Sequence, residues 1–184
     1  MTVTDPTLTT VLVLVILAVA GALFVAFSGV ANVAADQKAP RVVDWFLGTT
    51  SDHAVARRAA TIPVPDLGSA EMVREGFEHY REMCVGCHGA PGVEQSEVAR
   101  GLNPEAPDLA VPDAPDPAEE FWVVKHGIRM TGMPAFGPTH PDDKIWDIVA
   151  FLQRLKGMSA ADYAAFVQQQ AQPAGTTAET NDKS

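Results

Sequence analysis

From Pro6 to Ala35 the chain carries no charged residue, and Val11 to Val30 is a nearly unbroken run of aliphatic and aromatic side chains. At about 1.5 Å of rise per residue, such a run spans roughly 30 Å, the hydrocarbon thickness of a bilayer. The pattern predicts a membrane-spanning helix over 11–33 behind a short tail, 1–10. A cleavable secretory signal is the competing reading, since Val33 and Ala35 are suitably spaced small residues. Its leading region would be basic, however, and MTVTDPTLTT holds neither Lys nor Arg.

Beyond that run the pattern changes. Residues 34–68 read as a juxtamembrane linker with one apolar cluster, Val42, Val43, Trp45, Phe46 and Leu47, in which Trp45 packs on lipid headgroups or on the domain. The prolines of Ile62 to Leu67 keep that stretch extended. Ser69 then caps a helix whose apolar positions Met72, Val73, Phe77, Tyr80 and Cys84 recur at helical spacing, to an end near Gly86–Gly89. Residues 89–118 are rich in Pro and Gly and read as a long loop with one helical turn at 96–101; such a loop is usually functional. Asp116, Pro117 and Glu119 supply an N-cap, an N1 proline and an N3 acid for a helix to about Gly127. After a second loop, Pro141 and Asp142 open a helix with Ile145, Trp146, Ile148, Val149, Phe151, Leu152 and Leu155 on its apolar side and Gly157 at its end. Ser159 and Asp162 open the last helix, to about Gln170, and 172–184 has the composition of a disordered tail. No segment alternates as a strand does. The fold class is therefore all-α, with a domain of three to five helices over 69–171.

Charge narrows the partners. Thirteen Lys and Arg against 23 Asp and Glu leave a net −10, with no basic run of the kind that binds phosphate, so nucleic acid is excluded as a partner. Residues 107–120 hold five acids and no base, Asp108, Asp113, Asp116, Glu119 and Glu120. This is either a docking patch for a basic redox partner or a solvated loop with helix-capping acids.

Two cysteines are too few for a disulfide framework, and they lie three apart. Cys84, Val85, Gly86, Cys87 and His88 spell C-x-x-C-H, the attachment signature of c-type haem. Two thiols one helical turn apart share a face and can add to the two vinyl groups of one haem, while the next imidazole reaches the iron from the same side. A thiol–disulfide site is an alternative, although the strand–helix setting it uses is absent here. A zinc site is another, and would have to recruit two of His53, His79, His126 and His140. Haem of this type takes a second axial ligand, for which Met sulfur raises the reduction potential. Met1 precedes the membrane run, Met72 and Met83 belong to the first domain helix, and Met158 follows the long C-terminal one. That leaves the loop residues Met130 and Met133, with Met133 preferred because Pro134 stiffens the backbone after it.

With these motifs in view, the chain resembles a class I cytochrome c, specifically the bacterial membrane-anchored monohaem cytochromes of the cytochrome c/cbb3-like group. The resemblance runs through G-F-E-H-Y-R-E-M-C-V-G-C-H-G, N-P-E-A-P-D-L, H-G-I-R-M-T-G-M-P-A-F-G and I-W-D-I-V-A-F-L, over about 69–157. It implies that Gly76 and Tyr80 face a C-terminal helix bearing Trp146 and Phe151. It also implies that the Pro107 carbonyl receives the Nδ1 proton of His88, and that Leu109 packs on the haem. One haem c on Cys84 and Cys87, with iron between His88 and Met133, leaves no open coordination position. The implied function is then electron transfer rather than catalysis. Expected partners are a quinol-oxidising complex or dehydrogenase as donor and a terminal oxidase or soluble cytochrome as acceptor. The alternatives are a haem-based gas sensor and a cytochrome subunit of a dehydrogenase or oxidase complex. Lys38 and Arg41 follow the apolar run, and the positive-inside rule alone would leave the domain in the cytoplasm. Haem attachment in this family occurs on the outer face of the bacterial inner membrane, which implies a single-pass protein with a periplasmic haem domain.

Overall fold

A computed structural model describes residues 5–112 and 115–171, and among these the chain is all-helical, with one isolated bridge between Ala90 and Val93. The predicted tail at 172–184 and the acid Asp113 lie outside the described residues. Two compact units meet between Lys38 and Ala39.

The first unit is α1, Pro6–Ser28, a single helix long and apolar enough to cross a membrane, with none of its residues buried within the chain. It starts five residues ahead of the predicted position because Asp5 caps it: the Asp5 carboxylate accepts from Thr7 N at 2.9 Å, and Pro6 occupies N1. The Thr10 hydroxyl donates to Pro6 O, so this polar residue is satisfied inside the helix. The end comes five residues early, where Gly29 takes φ +71°.

In the second unit, the stretch read as linker contains α2, Arg41–Ala59, whose C-terminal half buries Val55 and Ala59. Next come α3, Ala70–His79, capped by Ser69, and a π turn, Tyr80–Cys84, that runs into the short α4, Val85–His88. The chain continues with α5, Glu97–Arg100, α6, Pro117–His126, α7, Asp142–Leu155, and α8, Ala160–Ala171. The amphipathic pattern anticipates every one of these except α2 and the π turn. Helix α2 escaped because its apolar residues cluster at 42–47, whereas the two that it buries are small or lie further along.

The core forms where α3 crosses α7. A Cβ on Gly76 would lie 2.5 Å from the carbonyl carbon of Asp147 and 3.0 Å from Ile148 N, so the helices approach to a distance that only glycine allows. Phe77 and Tyr80 meet Phe151 with ring centroids 5.4 and 5.2 Å apart, and Phe166 of α8 closes on Phe77 at 5.2 Å. Trp146, expected at this crossing, turns instead to α6 and stacks on Phe121 at 4.2 Å. One position along α7 is a rotation of about 100°, which is enough to exchange one neighbouring helix for another.

Three of the five acids in 107–120 have local partners. Asp108 accepts from Ala110 N, Asp116 caps α6 through Ala118 N, and Glu120 is buried with Gln153 Nε2 at 2.5 Å and Lys156 Nζ at 3.1 Å. Much of the apparent charge patch is therefore structural. Burial, opposed by Lys156 and Gln153, pushes the Glu120 carboxyl above its ordinary 4.5. The folded state thus holds this proton to higher pH than the unfolded chain does. This residue's contribution to stability falls as pH rises from about 4.5 through the raised value. Glu120→Gln is expected to flatten that part of the profile, read as urea midpoint against pH.

Candidate functional site

The C-x-x-C-H segment sits where the first domain helix loosens. Val85 N reaches back five residues to Tyr80 O, a π turn that takes up one extra residue and changes the face on which Cys87 and His88 lie. Both cysteines are free thiols, Cys84 buried and Cys87 half-buried. Burial, and secondarily the neighbouring Cys87, pushes the Cys84 thiol up to about 12. It is neutral at physiological pH, the opposite of the low-pKa thiolate that thiol–disulfide exchange uses. Among the described residues no three His, Cys, Asp or Glu side chains gather as a zinc site requires.

The helix stops at Gly89, φ +67°, where a Cβ would come 2.8 Å from Val93 O. The fully buried Tyr80 hydroxyl donates to Gly89 O at 2.6 Å, pinning the end of the motif to the core. Its desolvation raises the phenol's pKa, so Tyr80 stays a donor across the accessible pH range. Tyr80→Phe leaves the Gly89 carbonyl without this donor and is expected to cost about 1–2 kcal/mol, read by chemical denaturation.

His88 Nδ1 lies 2.8 Å from Pro107 O. A carbonyl oxygen can only accept, so Nδ1 carries the proton and Nε2 keeps its lone pair for a metal. The loop presenting Pro107 is tied down on both sides. Ser96 N donates to Gly86 O at 2.9 Å, Gln95 Nε2 to Ala106 O at 2.9 Å, and Gly157 N to Ala110 O at 2.7 Å. Leu109, two residues on, is half-buried against the core.

Met130 and Met133 lie in the loop after α6. Gly127 ends that helix at φ +64°, and a Cβ there would lie 2.7 Å from Met133 O, so the loop passes directly over it. Ile128 N donates to Met133 O, and Met133 N donates to Thr131 Oγ1, closing a small ring of backbone. Phe136 N and Gly137 N then donate to Val124 O and Lys125 O, satisfying carbonyls that the helix end leaves unpaired. Met133 is half-buried against the core, whereas Met130, at φ +64°, is 90% exposed at the loop tip. A Cβ on Gly132 would lie 2.7 Å from Leu102, which places Leu102 of the long loop beside the methionine loop. Neither Leu102 nor Gln95 stands in any spacing that marks it beforehand; both reach the site by tertiary contact alone.

The C-x-x-C-H turn offers two thiols and an imidazole nitrogen left free by its own Nδ1–H bond, donors whose chemistry fits the vinyl groups and iron of a haem, and the half-buried Met133 offers a thioether of the matching kind. Residues 71–152 match the family model for cytochrome c oxidase, cbb3-type, subunit III. Residues 71–152 are therefore a c-type cytochrome domain, and a domain of this kind implies covalently bound haem c. Among solved structures, the chain is similar to one chain of the Kuenenia stuttgartiensis reducing HAO-like protein complex Kustc0457/Kustc0458. That match has 22% identity and a TM-score of 0.42, over 51% of this chain and 50% of that one. It is also similar to cytochrome CL from the marine methylotroph Methylophaga aminisulfidivorans, at 21% identity and TM-score 0.37, over 77% of this chain and 85% of that one. The chain thus spans half the length of the first of these structures. No curated protein matches it.

Proposed function

We propose that this protein is a membrane-anchored monohaem c-type cytochrome carrying single electrons in a bacterial respiratory chain, with its haem domain in the periplasm. Cys84 and Cys87 would hold the haem through thioether bonds, and His88 Nε2 and the Met133 sulfur would hold its iron. The observation that carries the reading is the His88 Nδ1–Pro107 O bond, made on the same helical turn that brings the two free thiols. When bound, the haem iron supplies a reversible one-electron couple. The chain's own residues keep the two candidate iron donors in place. Pro107 fixes the His88 ring, and the backbone ring around Thr131 fixes the Met133 loop. A haem held by His88 and Met133 would exchange electrons with partner proteins while leaving its iron closed to a substrate. The donor fits a quinol-oxidising complex or dehydrogenase, and the acceptor a terminal oxidase or soluble cytochrome. Helix α1 is the anchor.

The test is the visible spectrum, oxidised and reduced, of protein matured with a haem-attachment system. A c-type reduced spectrum with one covalent haem per chain, together with the weak red band of a Met–ferric bond, is the expected result. A c-type spectrum without that band, combined with rapid carbon monoxide binding to the reduced protein, replaces the carrier with a gas sensor. Absence of covalent haem overturns the reading. A second reading, a permanent subunit of a respiratory complex, is favoured by the family model's description as an oxidase subunit. Comigration with an oxidase in mild detergent distinguishes it from a free carrier.

A further inference from the structure

Helix α2 is divided along its length. Its C-terminal half belongs to the folded domain: Val55 and Ala59 are buried, and the Arg58 guanidinium lies 5.9 Å over the Trp122 ring of α6. Its first two turns are exposed and apolar, with Val42, Trp45 and Phe46 at 67%, 67% and 61% exposure. These three stand at i, i+3 and i+4 and share one face, and Asp44, the acid of the first turn, falls off it. Isolated exposed side chains of this kind need no explanation, but a contiguous apolar face with two aromatics on one turn does.

We propose that the first two turns of α2 lie in the headgroup layer of the bilayer, so that α2 is a strut holding the haem domain against the membrane surface in a fixed orientation. This rests on the reading of α1 as a membrane anchor. Three observations favour lipid over a protein partner. Residues 29–40 are the whole connection between the two helices, and an extended chain of that length reaches about 40 Å at most, a tether short enough to leave lipid within reach of the start of α2. Trp45 combines an apolar ring with an N–H donor, the chemistry that concentrates at headgroup depth. Lys38 and Arg41, at the start of the helix, supply the cations that anionic headgroups attract. The docked half of α2 transmits the contact inward. It packs on α6, whose last carbonyls anchor the Met133 loop through Phe136 N and Gly137 N. The site is therefore linked to the membrane surface by packed helix rather than by flexible chain.

The experiment uses the full-length holoprotein in vesicles of phosphatidylethanolamine and phosphatidylglycerol. The vesicles contain phospholipids bearing a photoactivated carbene precursor, either in the headgroup or at mid-chain, and labelled residues are mapped by mass spectrometry. Mid-chain probes are expected to label α1 and headgroup probes to label residues 42–47, while α7 stays unlabelled. In the double variant Trp45→Ser/Phe46→Ser, labelling of α2 is expected to fall severalfold with α1 unchanged. Labelled α1 with blank 42–47 overturns the strut and leaves the anchor standing. Blank α1 overturns both. Undiminished labelling of α2 in the double variant also overturns the strut, because the signal would then come from tethering near the lipid and not from the stripe.

Discussion

Met133→Ala is expected to abolish the red Met–ferric band and to lower the reduction potential by on the order of 100 mV. That is a fraction of the roughly 0.8 V that axial ligation spans. Thioether sulfur favours ferrous iron, so its loss moves the couple toward ferric. At about 59 mV per tenfold for one electron, 100 mV is roughly a fiftyfold change in the equilibrium. Met130→Ala is the matched control. Met130 stands three residues away in the same loop but is 90% exposed, and its replacement is expected to leave both band and potential in place. Potentiometric titration followed in the visible region separates the two variants. If instead Met130→Ala removed the band, the loop would present its sulfurs in the reverse order, and the backbone ring that closes on Met133 would have no bearing on ligation.

Gly76→Ala is expected to be the most damaging single-methyl change in the domain. The added Cβ would enter the van der Waals shell of the Asp147 carbonyl and lie 2.5 Å from its carbon. No rotamer relieves this, because both neighbours are backbone, so α3 and α7 must separate and loosen Phe77, Tyr80 and Phe151 between them. Overpacking of this kind costs about 3 kcal/mol, or on the order of 10 °C in Tm for a domain of this size. Gly48→Ala is the control: its Cβ would meet nothing within 4 Å in the middle of α2, and helix propensity favours alanine there. Thermal melts followed by far-ultraviolet circular dichroism read both variants. Equal melting temperatures would mean that the crossing yields without cost and that the glycine is incidental.

The two glycines also show why some of the site was legible in the sequence and some was not. Spacing revealed the motif, because Cys84, Cys87 and His88 lie within little more than one helical turn, and local chemistry is written locally. Helix limits at Ser69, Asp116, Pro117, Gly157 and Ser159 were equally legible, since a cap depends on residues within one turn of the helix end. The start of α1 follows the same rule and lies ahead of the apolar run, because the Asp5 cap and not hydrophobicity sets it.

Other features depend on segments far apart in the chain. The choice between Met130 and Met133 turns on which side of a loop faces the core, and that side is set by Gly127, by Thr131 and by the carbonyls of α6. Likewise, Trp146 faces α6 and not α3 because the crossing at Gly76 sets the rotation of α7. Leu102 and Gln95 reach the site only when the long loop folds back, and Glu120 is removed from the surface charge by Lys156, the residue just past the end of α7. Sequence by itself determined the chemistry, an all-helical domain carrying C-x-x-C-H behind an apolar helix, because covalent attachment and helix periodicity are short-range properties. The tertiary structure alone decided the phase of each helix, the sulfur that faces inward and the docking of α2, because burial depends on what lies across the fold.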